Sequence, residues 1–524
     1  MLYNLKWLEP GEVFPPAVEV PRIVRYRQNA RLFDGDHFAD PSFRSRHPLE
    51  VGNEPVNLYM LCAERISQVV GNFNDIISFP VLLNYQRLLT LKTADLVCGE
   101  YPSISGVTFQ ENAAIKDVRD VTDFDSKLYA TVIDISRYGD AIWRLYKNED
   151  ERIDFTCWDP CEWYPVVAQD GTNRIIHHCL CWLVNINEDQ LNPQYELHVQ
   201  IHCTDKDRIG AYEFRRYSMS DDGNQISQLL ESRIVKTGLD RCAVFNLKSF
   251  TTSDSVYGYD DYMPLDSLLS EIMVRVGQIS CILDKHADPS ITGPVSMLKL
   301  DPQTGEYYLE TGKFYGVSAG EEYPKYMTWD GQLGSAFQQL EFLIKQLYIL
   351  SEMGAALLGY DAGGTAISGT AFRFRMANPL ARVRRIANSL SVPVRKLFSS
   401  LSLTAEVENA EDLVLPIPYR KISVFWSDGL PDDPRENVEI AKLACGEEHM
   451  MPLEVAIMEY FGRSNEEARE WIEMLEAEAE KRAELAQPKE EDVNHSGPQD
   501  GTGVNPQKKG SSTGLNDFHG LNNQ

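Results

Sequence analysis

The sequence predicts an α+β protein, and three observations do so. Apolar and alternating runs of strand type recur between residues 134 and 250. Two long stripes of helical spacing, within 261–285 and 334–354, bracket a segment rich in turns and aromatics. Helical periodicity then returns over 435–486. Period two and period 3.6 occupy separate parts of the chain, which is the mark of an α+β arrangement.

Taken in order, residues 1–55 are rich in Pro and charge, lack clear periodicity and read as an extended arm. From 56 to 98 the apolar spacing is helical, through Leu58, Leu61, Ile66, Val69 and Val70, then Leu82, Leu88, Leu91 and Leu96. Pro80 should divide this stretch into two helices, because proline removes a backbone donor and clashes with the preceding turn. The runs 143–146, 175–184 and 195–202 are strand-like, with Gly171, Asn185 and Gly223 in the turns between strands.

Leu265, Leu268, Leu269, Ile272, Val276, Ile279 and Leu283 then form one apolar stripe on a helix over 261–285, about 37 Å long at 1.5 Å per residue. The Asp288-Pro289 pair should end it. Within 291–329, a turn at 301–305 separates the strand-like runs 295–300 and 307–309. A second amphipathic helix carries Phe337, Leu340, Leu343, Ile344, Leu347 and Leu350. The pair is expected to project from the main body with a β-module at its tip. A Gly-rich loop follows over 357–370, then a helix from Thr370 that Pro379 and Pro393 should each kink or break. Strand texture returns at 421–427, and Asp428, Asp432 and Asp433 read as turn formers. Ser464 and Glu467 have capping-box spacing ahead of an acidic helix. Residues 487–524 have almost no apolar side chains and read as disordered.

The length of 524 residues suggests roughly two to four domains. Apolar content of 43% supports a folded core. The net charge of −28 argues against a general nucleic-acid coat, which would be basic, but not against nucleic acid sliding through a channel. Ten scattered cysteines are too few for a disulfide scaffold, which favours a reducing compartment. The N-terminus lacks the apolar core of a signal peptide, and no apolar run approaches the roughly 20 residues of a membrane span. The chain therefore reads as soluble and intracellular.

Against this acidic background, residues 362–405 contain no Asp or Glu, yet carry Arg373, Arg375, Arg382, Arg384, Arg385, Arg395 and Lys396. Such a block needs a negative partner. Arg382, Arg384, Arg385 and Arg395 read as ion-pair residues across helix or subunit contacts, Arg being suited to that role. Arg373 and Arg375, beside the Gly-rich loop, are candidates for phosphate contact.

Catalytic and cofactor motifs are absent from this reading. The run 364–370 has the glycine spacing of a phosphate loop, but Thr370 stands where the phosphate-binding Lys belongs and no strand leads in. Cys157, Cys161, Cys179 and Cys181, with His177 and His178, fit no standard zinc spacing and read as small buried residues. No metalloprotease, nucleophile-elbow or EF-hand signature occurs. The expectation is a non-enzyme without metal or cofactor.

The order of parts over residues 55–486 resembles the portal proteins of tailed double-stranded DNA bacteriophages. Local runs are similar as well. These are N-Y-Q-R-L-L-T-L-K-T-A-D-L-V-C-G-E at 84–100, R-Y-G-D-A at 137–141 and W-D-P-C-E-W-Y-P-V-V at 158–167. Further on come S-V-Y-G-Y-D at 255–260, D-K-H-A-D-P at 284–289, I-S-G-T-A at 367–371 and W-S-D-G-L-P-D-D at 426–433. The resemblance implies a portal fold with wing, two-helix stem, β-rich clip, long kinked wing helix and helical crown. Residues 1–255 would be the N-terminal arm and wing, 256–290 the first stem helix, 291–330 the clip and 331–356 the second stem helix. The tunnel loop would be 357–370, the long kinked helix and wing return 371–434, the crown 435–486, and 487–524 a tail.

The implied function is a ring, usually of twelve subunits, at the unique capsid vertex of the virion, assembled in the host cytoplasm. Double-stranded DNA would pass through its channel during packaging and ejection. The terminase large subunit and head–tail adaptor proteins would dock on the clip, and major capsid and scaffolding proteins would surround the ring, with no membrane involved. Tyr360, Asp361, Gly363, Gly364, Thr365 and Ser368 would face DNA, and Tyr307, Tyr308, Phe314, Tyr315 and Tyr323 would meet clip partners. Two alternatives stand beside it: a head–tail connector protein without a DNA channel, and a DNA-processing enzyme.

Overall fold

The computed structural model describes residues 1–35, 83–187, 194–204, 210–250, 252–287, 291–292, 299–300, 302, 307–308, 320, 325–326, 333–358, 374–407, 413–427, 434–445, 450–461 and 465–486. The chain divides into two units, Met1–Pro431 and Asp432–Gln524.

Residues 1–35 correct the expected extended arm. A 3-10 turn at Lys6–Leu8 precedes helix α1 (Val20–Asp34), which has Pro21 in its first turn and Gly35 at its end. Leu2, Trp7, Leu8, Phe14 and Ile23 are buried in one core with the large sheet, and Leu2 bridges to Val166. The inward face of α1 mixes Ile23 and Leu32 with Tyr26 and Asn29, so its apolar periodicity is weak.

Helix α2 (Tyr85–Cys98) is capped by Asn84, whose side chain accepts from the Arg87 amide at 2.9 Å. Most of the helical stretch expected upstream, Pro80 included, lies outside the described residues. Strand β1 (Ser103–Ser105) leads to α3 (Phe109–Val121), where Thr108 and Glu111 form a reciprocal capping box. Helix α4 (Phe124–Tyr138) takes up Asp134, so strand structure starts at 140 rather than 134.

Next come β2 (Asp140–Lys147), β3 (Ile153–Trp158), β4 (Trp163–Val167), β5 (Ile175–Asn185), β6 (Tyr195–Cys203), β7 (Ala211–Met219), β8 (Ile226–Lys236) and β9 (Val244–Lys248). They form an antiparallel five-stranded sheet ordered β4-β5-β6-β7-β8 and a three-stranded sheet ordered β3-β2-β9. The alternation read from sequence is real. Cys179, Cys181, Leu197, Val199, Ile201 and Tyr217 share the face covered by residues 1–35, while Trp182 and His198 lie opposite each other on the reverse face. Trp163 and Leu180 join Ile142 and Val244 in a small core that ties the two sheets together.

Helix α5 (Asp266–Ala287) starts later than expected. The segment before it is an irregular strap. Beyond α5, β10 (Ile291–Thr292) pairs with β13 (Lys325–Tyr326), and β11 (Lys299–Leu300) pairs with β12 (Tyr307–Tyr308). The two antiparallel pairs are nested in the chain, and most of the turn expected at 301–305 lies outside the described residues. Helix α6 (Leu333–Leu350) returns, and Leu265, Leu269 and Leu347 at the roots of the pair share the main core.

The expected helix start at Thr370 lies outside the described residues; residues 374–375 are helical, Met376 interrupts the run, and helix α7 (Ala377–Leu401) follows. Pro379 sits in the first turn of α7, where its missing N–H has no helical acceptor to lose, and the interruption at Met376 just before it agrees with the expected kink or break. Pro393 lies inside α7, and the helix continues past it to Leu401. Ser391 is anchored nearby: its hydroxyl donates to the Ala387 carbonyl at 2.8 Å and accepts from Trp426 Nε1 at 2.9 Å. Strand β14 (Ser423–Phe425) pairs with β1. The main core gathers α2, α3, α4, β2, β3 and α7 around Phe124, Trp143, Phe155 and Phe398. The Phe124 and Phe398 rings meet edge-on at 4.9 Å, and Trp143 Nε1 donates to Thr131 at 2.7 Å.

The second unit contains α8 (Pro434–Ala444), α9 (Leu453–Phe461) and α10 (Asn465–Ala486), consistent with the helical reading of 435–486. Ser464 of the expected capping box, Asp428, Asp432 and Asp433, and the tail 487–524 lie outside the described residues. Among the described residues no helix is long and apolar enough to cross a membrane.

Gly139 and Gly258 meet backbone to backbone. Gly139 ends α4 with φ at 85°, and a Cβ placed on Gly258 would lie 2.0 Å from the Gly139 carbonyl oxygen. Gly258→Ala is therefore expected to cost several kcal/mol, on the order of 3 or more, because backbone must shift. Urea denaturation checks this, and an unchanged midpoint would refute the contact.

A second prediction concerns Glu162, in the 3-10 turn Pro160–Glu162. Burial, with the charge of Asp159 beside it, pushes this carboxyl up to about 8 in spite of Arg27. The folded protein thus holds a proton that the unfolded chain releases near 4.5, and Glu162 erodes stability as pH rises from there through about 8. Glu162→Gln should gain more than about 1 kcal/mol relative to wild type at pH 8 and little at pH 4.5. Equal effects at the two pH values would contradict it.

Candidate functional site at the roots of the helix pair

The strap 257–266 connects the sheets to α5, and buried carboxylates fix it at successive points. Asp140, fully buried at the start of β2, accepts from Tyr26 Oη at 2.7 Å, Asn246 Nδ2 at 2.9 Å and the Gly258 amide at 2.9 Å. Asp260 Oδ1 accepts from the Tyr262 and Met263 amides at 3.0 and 2.8 Å. Arg25 of α1 then spans Asp260 at 3.0 Å and Asp266, in the first turn of α5, at 2.6 Å. Acid in that first turn also complements the helix dipole.

Asp261 is the centre of the arrangement. It accepts from the Ser136 hydroxyl of α4 at 2.5 Å and forms an ion pair with Arg382 of α7. Arg382 also donates to the Ser351 carbonyl, just past α6, at 3.2 Å and to Thr93 of α2 at 3.2 Å. Thr90 links Ser136 at 3.0 Å to the Tyr262 hydroxyl at 2.7 Å. One guanidinium therefore joins the start of α5, the end of α6, α2 and α7. Burial raises the carboxyls of Asp140, Asp261 and Asp266 above the usual range, outweighing the donors around each. These acids are engaged by donors that hold backbone in place, which makes the cluster a clamp rather than a reaction centre.

A second contact lies one turn along α7. Glu352, with φ at 57°, forms an ion pair with Arg385. Behind it the aromatic cage of Tyr26, Tyr164 and Tyr257 surrounds buried Arg22, which also holds Glu19 at 2.9 Å and the carbonyls of Pro160 and Trp163.

The sequence-predicted residues fall in several places. Arg382 is corrected: it is only 8% exposed and bonded within its own chain, so it is not a subunit-contact residue. Arg384 and Arg385 lie on the exposed face of α7, and Arg395 is half-buried, donating to the Ser391 carbonyl at 3.2 Å. Arg375 is exposed just before α7. Tyr307 and Tyr308 form β12. Tyr360, Asp361, Gly363, Gly364, Thr365, Ser368, Arg373, Phe314, Tyr315 and Tyr323 lie outside the described residues.

Cys179 and Cys181 point into the core beneath residues 1–35, Cys161 packs with Tyr26 and Tyr138, and Cys157 lies 3.6 Å from Thr131 Oγ1. Burial raises all four thiols. Among the described residues no three His, Cys, Asp or Glu side chains are grouped to hold a metal. Sequence reasoning missed Arg25, Asp140, Asp260 and Asp261. The available signals were Pro21 and Gly35 bracketing a helix in the supposed arm.

Arg382→Met should destabilise the chain by about 3–5 kcal/mol, since it strands the Asp261 carboxylate in the core. Adding Asp261→Asn should recover more than half of the loss. Chemical denaturation of both variants checks this, and a neutral single variant would refute the clamp.

No protein-family model matches the chain, and no curated protein matches it. Among solved structures, it is similar to a chain in the virion of a native gene transfer agent particle, at 13% identity and a TM-score of 0.41, over 76% of this chain and 92% of that one. It is also similar to a chain in the neck of an empty gene transfer agent particle computed with C6 symmetry, at 13% identity and a TM-score of 0.44, over 71% of this chain and 89% of that one.

Proposed function

We propose that this chain is a subunit of a ring-forming portal, a structural protein of a virion that surrounds the channel for double-stranded DNA. The observation that carries the reading is a pair of large apolar side chains, Phe342 and Ile349, exposed on the otherwise polar outer side of α6. Leu340, Leu343, Ile344 and Leu347 turn toward α5 and the core. At 100° per residue, Phe342 and Ile349 lie on the opposite side, where they are 59% and 62% exposed. Phe337 and Leu350, also more than half exposed, lie at the two edges of the inner face. Set among Gln338, Lys345 and Gln346, these two side chains make an amphipathic outer side that a neighbour would cover, and that side is open in the single chain. A second copy, repeated around an axis, closes it, and a heterologous contact that closes makes a ring.

The remaining parts suit that role. The root clamp holds the helix pair firmly to its body. The nested β-pairs at the far end, with Tyr307 and Tyr308, are the proposed docking surface for the terminase large subunit and then for head–tail adaptor proteins. The loop containing Tyr360, Asp361, Gly363, Gly364, Thr365 and Ser368 is the proposed DNA-facing element, with Arg373 and Arg375 as phosphate contacts. Net charge of −28 would repel DNA and keep it sliding, leaving a few cations to position it. Major capsid and scaffolding proteins are the proposed outer neighbours.

Negative-stain microscopy of the full chain should show rings with an axial hole. Phe342→Ser with Ile349→Ser should raise the concentration needed for assembly at least tenfold while leaving the thermal melt of the chain unchanged. A chain that stays monomeric at high concentration, or assembly indifferent to the double change, would overturn the reading.

A further inference from the structure

Helix α7 also has two faces, and the outer one is basic. Leu380, Val383, Ile386, Ala387, Leu390, Val394, Leu397 and Phe398 are buried. The exposed side presents Ala381, Arg384, Arg385, Asn388, Val392 and Lys396, with Arg395 half-buried at its margin. No carboxylate interrupts it, because 362–405 has none.

At the far end of α7 the stripe widens. Arg241 donates to the Lys396 carbonyl and the Ser399 hydroxyl, each at 3.1 Å. Arg420 Nε lies 3.4 Å from the Tyr419 hydroxyl, with its guanidinium 5.9 Å from that ring's centroid. The hydrogen bond and charge of Arg420, with Lys396 and Arg241 nearby, draw the Tyr419 phenol below its usual range. Arg385 pairs with Glu352 and Arg241 with Asp240. Among the described residues Arg384, Arg395, Lys396 and Arg420 have no carboxylate within ion-pair distance.

Like charges gathered on one rigid face repel one another, so the surface is disfavoured until an anion covers it. Two features favour protein over nucleic acid as that anion. Apolar Val392, 41% exposed, lies within the stripe and Tyr419 at its end, a mixture suited to a protein contact with a dry centre. The chain's own charge of −28 means that any second copy supplies carboxylates in excess.

We propose that the outward stripe of α7, extended by Arg241 and Arg420, receives a carboxylate-rich surface of a second copy of this chain. The assignment rests on the ring reading and adds the charged half of the contact whose apolar half is on α6. Arginine suits it because its planar fork pairs with carboxylates in fixed geometry.

The test uses the full chain. Arg384→Glu, Lys396→Glu and Arg420→Glu are combined, and assembly is followed by native mass spectrometry against concentration. The triple variant should need at least tenfold more protein to assemble, with an unchanged circular-dichroism melt. Separately, wild-type chains in normal and ¹⁵N-labelled forms are mixed, assembled and treated with a carbodiimide, which joins amines to carboxylates without a spacer. Lys396 should yield links of mixed isotope composition. Wild-type assembly with no mixed link at Lys396, or a triple variant that assembles as wild type does, overturns this assignment and leaves the ring reading intact. A variant that assembles normally but loses binding to a labelled DNA duplex reassigns the stripe to phosphate. A wild-type chain that never assembles overturns the ring reading itself.

Discussion

The ion pair between Asp261 and Arg382 is the constraint on which the rest of the main unit depends. Three requirements meet there. The chain must leave the sheets, enter α5 in a set direction, and find the end of α6 beside that start. Hydrophobic packing is indifferent to direction, whereas an Arg fork fixes angle as well as distance. Arg382 therefore specifies geometry that Leu265, Leu269 and Leu347 could not specify alone. The net contribution of the pair to stability, compared with two apolar side chains in its place, is modest by the usual accounting of buried pairs, and its value lies in orientation.

Around that pair the carboxylates divide the work by position. Asp140 pins the strap to the sheet edge, Asp260 turns it, Asp261 ties it to α7, and Asp266 starts the helix under the hold of Arg25. Four acids within one region would repel if they were free. Each instead faces donors, supplied by α1, α4, α7, β9 or the strap itself, so the same acids bring these elements together. This is why residues 1–35 fold onto the body although their sequence looks like a linker. Among the arginines of α1, Arg22 is an interior group, enclosed by three tyrosines.

The parts legible in the sequence are those with a single dominant period. The strands around Cys179 and Val199 alternate because one face meets a core, and α5 shows its stripe because one side faces α6. The hairpin of β11 and β12 was legible from its turn residues. What could not be read was polar burial. An Arg on an outward stripe and an Arg on an inward stripe look alike in a list of residues, so Arg382 and Arg384 could not be told apart, although they lie two positions apart on α7. Tyr26 and Asn29 likewise hid α1, because their burial depends on partners more than 100 positions away, Asp140 and Arg137. Pro379 marks an interruption of the helical run, which falls at Met376. Proline forbids a helix interior but suits a helix start, and only the three-dimensional start of α7 says which applies.

The way the two long helices are rooted has a mechanical consequence. One guanidinium ties the strap that leads into α5 to the residue just past α6, while Arg25 holds Asp266 and Arg385 holds Glu352. A pull on the β-module along the helix axes would reach the two roots together and strain these contacts in shear, all at once. Bonds strained side by side share a force, whereas bonds peeled in series meet it one at a time. Anchored in this way, the helix pair would transmit a push or a pull to the body as a strut does, with little of the movement lost in its mounting.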